Sequence, residues 1–221
     1  MLKAILFDMD GVLVNSEPYH REACEALSRE ISGGLLGAAQ THTVGISTDE
    51  MYARALKLCG KEGDGRELSR RHYAMTLEQV KRYLPRPEDA LIALLQRLKQ
   101  TDLRLGVVSS SPADFVAPIL ELYGFTELFE PIITADDAPR LKPYPDPYLI
   151  ALNRLRLTPE EAIAIEDSRT GSLAAKAAGL CCVGFINPGS GKQDLSATDI
   201  QTDTYAGICA EIQRRAADVR P

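Results

Sequence analysis

Two acids, Asp8 and Asp10, follow the first apolar run of the chain in ILFDMDGVL, residues 5–13. An acid pair next to Gly11 at the end of a strand can simply form a turn. It can also supply a nucleophile, an acid/base group and metal ligands. A calcium loop is excluded, because the D-x-D-x-D-G pattern needs glycine at its sixth position and here glycine stands at the fourth. The chemistry of the pair therefore depends on what the other strand ends contribute.

Further reactive groups follow later apolar runs. Ser109 ends the run in VVSSSP, Lys142 lies in RLKPYPDPY after another run, and Glu166 with Asp167 ends the run in AIAIEDS. If these runs are parallel strands, their carboxyl ends meet at one edge of the sheet, where ligands bind in such folds. The sequence then places an acid pair, a hydroxyl, an ammonium and a second acid pair together.

This combination is what phosphoryl transfer through an aspartyl phosphate requires. A carboxylate can attack phosphorus and split one difficult displacement into two easier ones. A second acid can protonate the leaving oxygen and later deprotonate water. Lysine can offset the charge of the nucleophile and of the transferring oxygens, and a serine hydroxyl can donate to a phosphate oxygen. Mg²⁺ is the expected cofactor, since it prefers oxygen ligands and needs carboxylates beside the phosphate.

The elements that must position these groups alternate along the chain. Short apolar runs predict buried strands, and each of the last four follows a segment of helical character. The helical segments include residues 88–100, with leucines at i, i+3, i+4 and i+7, residues 112–124, and the stretches beginning at Asp146 and Arg169. The predicted strands are Ala4 to Phe7, Leu103 to Val108, Pro131 to Thr134, Ala162 to Ile165 and Cys181 to Ile186. This alternation predicts an α/β fold, a Rossmann-like parallel sheet with helices on both faces.

Residues 17–84 break the alternation. They are rich in helix formers, contain no obvious strand-like run, and end at the proline-containing LPRPED. The sequence therefore predicts a catalytic core from residues 1–16 and 85–221, with an inserted α-helical domain at residues 17–84.

The chain resembles the haloacid dehalogenase superfamily in four motifs that occur in the family's order: DMDGVLVNSE, VVSSS, LKPYPDPY and EDSRTGSLAAKAAG. The similar branch is that of small-molecule phosphatases and β-phosphoglucomutase-like proteins. The resemblance implies that Asp8 is the nucleophile and a metal ligand. It also implies that Asp10 is the acid/base and lends its backbone carbonyl to the metal.

The resemblance assigns the remaining site residues as well. Ser109, with Ser110 beside it, would hold the phosphate, and Lys142 would be the cation. Asp167 would be a metal ligand, while Glu166 would be either a second ligand or a support for the ligands. The inserted helices would be a mobile cap that closes over the substrate, and closure would exclude water and choose the leaving group.

Thr48 and Arg54 are the candidate substrate-binding residues of the cap. Mutase relatives carry an arginine in the loop between cap helices, and the corresponding loop here is expected at residues 44–51, with Thr48 at the arginine position. The four strand-end motifs favour a Mg-dependent phosphatase acting on a small phosphorylated metabolite, of the sugar phosphate or phosphoglycolate type, and the neutral Thr48 weakens the mutase alternative. The alternatives are a β-phosphoglucomutase-type hexose-phosphate mutase and an aspartyl-phosphate signalling or binding module.

Composition limits the partners. The formal net charge of −6 disfavours non-specific binding to nucleic acid or anionic membrane, since both are polyanions. The five cysteines without C-x-x-C spacing, the lack of a leader-like N-terminus and the lack of an apolar stretch of membrane-spanning length indicate a cytoplasmic protein. A monomer or small homo-oligomer is expected. GSGKQ, residues 189–193, imitates a phosphate-binding loop but lacks its first glycine and its Ser/Thr, so no role is assigned to it.

Overall fold

The chain forms two compact units in a computed structural model that describes residues 1–34 and 46–217. The first unit comprises Met1–Asn15 and Arg86–Pro221, and the second comprises Ser16–Pro85. The expectation that residues 17–84 act as a mobile cap stays a prediction.

The first unit contains a parallel six-stranded sheet. Its strands are β1 (Ala4–Phe7), β2 (Arg104–Val108), β3 (Ile132–Ile133), β4 (Ala162–Glu166), β5 (Cys181–Phe185) and β6 (Ile200–Thr202). The spatial order is β3-β2-β1-β4-β5-β6, so β1 lies between β2 and β4, with Phe7 opposite Val107 and Ile165. Every residue of β1 and of β4 is buried, as expected for parallel strands covered on both faces.

The predicted α/β fold is confirmed, and each end of the five predicted strands lies within one residue of its expected position. Strand β6 was not predicted. Its three residues include none that is fully buried, and the strand lies at the edge of the sheet, so it lacks the continuous apolar run by which the other strands were recognised.

Eight α-helices occur within the described residues. They are α1 (Glu17–Ser32), α2 (Thr48–Leu58), α3 (Gly65–Tyr83), α4 (Asp89–Leu98), α5 (Ala113–Leu122), α6 (Asp146–Leu155), α7 (Arg169–Ala177) and α8 (Tyr205–Ala217). In α4 the predicted face is the buried one, since Leu91, Leu94, Leu95 and Leu98 are all buried. Over residues 1–34 and 46–217, no helix combines the length and the apolar character needed to cross a membrane.

The second unit is helical and has its own apolar cluster. Helix α3 packs against both α1 and α2, and the buried side chains of the cluster include Leu27, Ile31, Tyr52, Ala55 and Leu68. The three described helices therefore share a core that is separate from the sheet.

The prediction that residues 44–51 form a loop is wrong from Thr48 onward, because α2 begins there. The Ser47 side chain caps the helix by accepting a hydrogen bond from the Glu50 amide at 3.2 Å, and Asp49 and Glu50 are acids in the first turn. Both features stabilise a helix start, which the loop assignment overlooked. Residues 44 and 45 lie outside the described residues.

Leu120 and Leu122 of α5 provide a matched test of the sheet unit's core. Leu120 is fully buried, whereas Leu122 is 36% exposed. We expect Leu120→Ala to lower the free energy of unfolding by about 2–5 kcal/mol, because the substitution leaves a cavity in a close-packed core. Leu122→Ala should lower it far less. Chemical denaturation of both variants measures the difference, and equal losses would contradict the assigned packing.

Candidate active site

The Lys142 ammonium joins the ends of the three central strands. Its Nζ donates to Asp8 Oδ1 at 2.7 Å, to Glu166 Oε1 at 2.5 Å and to the Val108 carbonyl at 2.8 Å. Asp8 directly follows β1, Val108 ends β2, and Glu166 ends β4. The charged side chains of Lys142, Asp8 and Glu166 are all buried. A lysine ammonium has three donors, and these contacts use all three.

Both oxygens of the Glu166 carboxylate have partners. Oε1 also accepts from the Tyr148 hydroxyl at 2.6 Å, and Oε2 accepts from Ser168 Oγ at 3.2 Å. Gly171 makes room for this carboxylate, because a Cβ at that position would lie 1.9 Å from Glu166 Oε2. The orientation of Glu166 is therefore fixed from several sides.

Asp10 lies in the tight loop that follows β1. The loop turns at Gly11, whose φ of +86° favours glycine, and it closes with a hydrogen bond of 2.8 Å from the Gly11 amide to the Val14 carbonyl. Ser111 Oγ donates to Asp10 Oδ2 at 2.9 Å, and the Ser111 amide donates to Ser109 Oγ at 3.0 Å. Residues 109–111 therefore link the end of β2 to the Asp10 carboxylate.

The site holds more negative than positive charge. Burial raises the pKa of Asp8 well above its ordinary value; Lys142 opposes the rise, and the neighbouring carboxylates Glu166, Asp167 and Asp10 add to it. Burial lowers the pKa of Lys142, but its attraction to Asp8 and Glu166 outweighs burial and raises the pKa overall. The lysine therefore stays charged, yet it faces an excess of carboxylates.

Three of these carboxylates suit a divalent cation. Asp8, Glu166 and Asp167 each offer an oxygen, and the three oxygens lie within 4.8 Å of one another in a buried position. Carboxylate oxygens are the ligands that hard divalent cations prefer. The donor set and the uncompensated charge therefore fit a bound metal ion.

The structure brings together the predicted residues of the core unit but does not test their roles. Asp8, Glu166 and Lys142 are in direct contact, Asp167 lies with them, and Asp10 and Ser109 are joined through Ser111. Ser110 is exposed beside them.

Thr48 and Arg54 belong to the second unit. Thr48 Oγ1 lies 3.1 Å from the Tyr73 hydroxyl, and Arg54 pairs with Glu50 of the same helix at 2.5 Å. Their predicted roles in substrate binding stay predictions.

Sequence reasoning missed residues that support the reactive groups. Ser111 belongs to the serine run that identified Ser109, and Tyr148 ends the motif that identified Lys142, so both carried a signal. Asn187 and Ser190 carried no such signal. Asn187 Nδ2 donates to the Gly11 carbonyl at 2.7 Å, and Ser190 Oγ donates to Asp167 Oδ2, although nothing in their sequence neighbourhood indicates these partners.

Known proteins share this architecture. A family model described as haloacid dehalogenase-like hydrolase matches residues 5–185. The chain is 33% identical over 191 residues to a phosphoglycolate phosphatase of Yersinia pestis, covering 83% of this chain and 81% of the relative. It is 35% identical over 193 residues to validoxylamine A 7'-phosphate phosphatase of Streptomyces hygroscopicus subsp. limoneus, covering 84% of this chain and 86% of the relative. The chain is also similar to CbbY from Rhodobacter sphaeroides, whose crystal structure is in complex with phosphate. The sequence identity is 27% and the TM-score 0.77, and the match covers 94% of this chain and 96% of that one.

Removing the buried cation should destabilise the core. We expect Lys142→Met to lower the free energy of unfolding by about 3–5 kcal/mol, because buried carboxylates lose their partner. The pKa of Asp8, already raised by burial, rises further without Lys142, so the folded variant takes up a proton more readily than the unfolded chain. The deficit relative to wild type should therefore shrink as the pH falls from neutral toward the acidic range.

Denaturation across this pH range measures the effect. The control is Lys99→Met, which removes an exposed lysine. A deficit for Lys142→Met that is small, or that grows as the pH falls, would contradict the described ion group.

Proposed function

Because this chain belongs to the haloacid dehalogenase-like hydrolases, we propose that it is a metal-dependent phosphatase that hydrolyses a small phosphorylated metabolite through an aspartyl phosphate. The observation that carries the proposal is the buried contact between Lys142 and Asp8 within a cluster of carboxylates. Two curated relatives named for phosphatase activity support it, one on phosphoglycolate and one on a 7'-phosphate ester. A phosphoglycolate or sugar phosphate type of ester is the proposed substrate class.

Asp8 is the nucleophile of this proposal. The contact from Lys142 to Oδ1 orients the carboxylate, so that Oδ2 attacks phosphorus. The bond to the leaving oxygen breaks, and an acyl phosphate forms on Asp8. The lysine charge offsets the negative charge of the carboxylate and of the arriving phosphate, which would otherwise repel each other.

Asp10 is the general acid and base. It protonates the leaving oxygen in the first step and takes a proton from water in the second, a role worth roughly 10²–10⁴ in rate. The hydrogen bond from Ser111 to Oδ2 fixes the direction of the carboxyl group. Water then attacks the phosphorus of the aspartyl phosphate, which releases inorganic phosphate and regenerates Asp8.

Ser109 and Ser110 hold the phosphate. Ser109 Oγ accepts from the Ser111 amide, which leaves its own proton available for a phosphate oxygen. Ser110 is exposed at the same edge and offers a second hydroxyl.

The proposed metal is Mg²⁺, held by the side chains of Asp8, Glu166 and Asp167 and by the Asp10 carbonyl. When bound, it polarises the phosphate and neutralises part of the charge that develops during transfer. The contacts of Glu166 with Lys142, Tyr148 and Ser168 also hold the ligand set in place.

We propose the cytoplasm as the setting of the protein. All five cysteines lie in described residues and none forms a disulfide, which is compatible with a reducing compartment.

The first test is phosphate release from a panel of sugar phosphates, phosphoglycolate and nucleoside monophosphates with Mg²⁺. We expect turnover of at least one ester by the wild type and none above background by Asp8→Asn, because the amide cannot attack phosphorus. Asp102→Asn, at an exposed position, is the matched control and should keep full activity.

Two results would contradict the proposal. Phosphate release that persists in Asp8→Asn would exclude the aspartyl phosphate. Interconversion of hexose phosphates with little free phosphate would indicate a mutase instead, and a chromatographic product analysis separates these outcomes.

Metal removal gives an independent test. Treatment with a chelator should abolish phosphate release, and excess Mg²⁺ should restore it, because the carboxylates near Asp8 are then again neutralised. Mg²⁺ without substrate should also raise the melting temperature of the wild type. Binding at a Mg²⁺ concentration 100 times Kd increases the free energy of unfolding by up to about 2.7 kcal/mol. Undiminished turnover by the chelated protein would contradict a metal-dependent reaction.

A further inference from the structure

Residues 187–190, here named the Asn187 turn, follow β5 and are not used by the mechanism above. Asn187 caps the short 3₁₀ turn Pro188–Ser190, since its Oδ1 accepts from the Gly189 amide at 2.7 Å. The preceding residue, Ile186, donates its amide to the Thr202 carbonyl at 2.8 Å, which ties the start of the turn to β6. The turn is thus held by the sheet and by its own hydrogen bonds.

The first contact of the turn is with the loop that carries Asp10. Asn187 Nδ2 donates to the Gly11 carbonyl at 2.7 Å. Gly11 directly follows Asp10, so this bond fixes the peptide next to the proposed acid/base. The Asn187 side chain therefore caps the turn with its oxygen and, with its nitrogen, holds the loop that follows β1 (residues 8–15, here named the β1 loop).

The second contact is with the acid pair after β4. Ser190 Oγ donates to Asp167 Oδ2. Gly11 leaves the space for this contact, because a Cβ there would lie 1.9 Å from Asp167 Oδ2 and 2.7 Å from Ser190 Oγ. The glycine is thus needed for close approach as well as for its positive φ.

The third contact is a close approach at the far end of the same loop. A Cβ on Gly189 would lie 2.5 Å from Asn15 Oδ1. The Asn187 turn therefore lies against the β1 loop at Gly11 and again at Asn15, and reaches Asp167 from its last residue.

We propose that Asn187 and Ser190 are positioning residues for the reaction: Ser190 fixes the Asp167 carboxylate for the metal ion, and Asn187 fixes the loop of Asp10. This inference rests on the proposed function. A donor to one carboxylate oxygen selects the side chain's orientation, and Asp167 offers an oxygen within 4.8 Å of oxygens of Asp8 and Glu166. Hydrogen-bond partners of metal ligands affect metal affinity strongly. A donor to a loop carbonyl limits the directions that the neighbouring Asp10 can take.

Metal binding without substrate tests Ser190. Isothermal titration of the full chain with Mg²⁺, and with Mn²⁺ in a parallel series, should give a Kd about 10-fold higher for Ser190→Ala than for wild type. Ser190→Thr keeps the hydroxyl and should bind like wild type. Ser196→Ala, which alters an exposed serine of the same segment, is the matched control and should also bind like wild type.

Steady-state kinetics test Asn187. Asn187→Asp keeps the oxygen that caps the turn but replaces the donor to the Gly11 carbonyl with an acceptor. With saturating metal, kcat should fall about 10-fold or more while KM changes little, because Asp10 acts in the chemical steps and not in uniform substrate binding. Asn153→Asp, the same substitution at an exposed position of α6, should leave both constants unchanged.

The outcomes separate this inference from the proposed function. If no ester is hydrolysed, the proposed function fails, and metal titration still decides the role of Ser190. If wild type and Ser190→Ala bind metal equally, or if neither binds, the Ser190 assignment is overturned. If Asn187→Asp retains full kcat, or loses activity through KM alone, the Asn187 assignment is overturned.

Circular dichroism and melting temperatures confirm that each variant is folded. If Ser190→Ala does not fold, Ser190→Cys, whose thiol is a weaker donor, replaces it. The Ser190 assignment is overturned if Ser190→Cys binds the metal with the same Kd as the wild type.

Discussion

The Lys142 ammonium and its three acceptors are the constraint on which the rest of the core unit depends. A buried ammonium or carboxylate loses several kcal/mol of hydration, and the loss is tolerable only where partners and hydrogen bonds replace the water. Here the replacements come from Asp8, Glu166 and the Val108 carbonyl, one from each central strand. In the proposed reaction, stability and reactivity share the same atoms: the contact that compensates the burial of Asp8 is also the one that would orient its carboxylate toward phosphorus.

The parallel sheet is what makes this grouping possible. Asp8 and Lys142 are 134 residues apart in the chain, yet the pairing of β1 with both β2 and β4 brings the strand ends to one edge. Close approach at that edge also requires missing side chains. Gly11 and Gly171 stand where a Cβ would collide with Asp167 and Glu166 respectively. The small residues thus determine how tightly the carboxylates can be packed.

The sequence predicted the elements with strong local patterns. The apolar runs located β1, β2 and β4, and the geometry of a parallel sheet predicted that the candidate site residues at their ends lie together. Weakly patterned elements escape such prediction: β6 is short and partly exposed, and the start of α2 at Thr48 lies in a segment for which the sequence predicts a loop, although Ser47 caps the helix. Contacts such as that of Ser190 with Asp167 could not be predicted, because they depend on how distant turns meet and leave no periodic trace.

The central position of β1 has a consequence for the order in which the chain can fold during synthesis. β1 precedes both of its partners in the chain, since β2 begins at Arg104 and β4 at Ala162. The second unit, Ser16–Pro85, is one continuous stretch, and its described helices contact one another, so these contacts can form while β1 still has no strand to pair with. Once made, the apolar β1 therefore stays unpaired until β2 has been synthesised, and its second edge stays unpaired until β4 has been synthesised, so the pairing that holds the centre of the sheet is non-local and forms late.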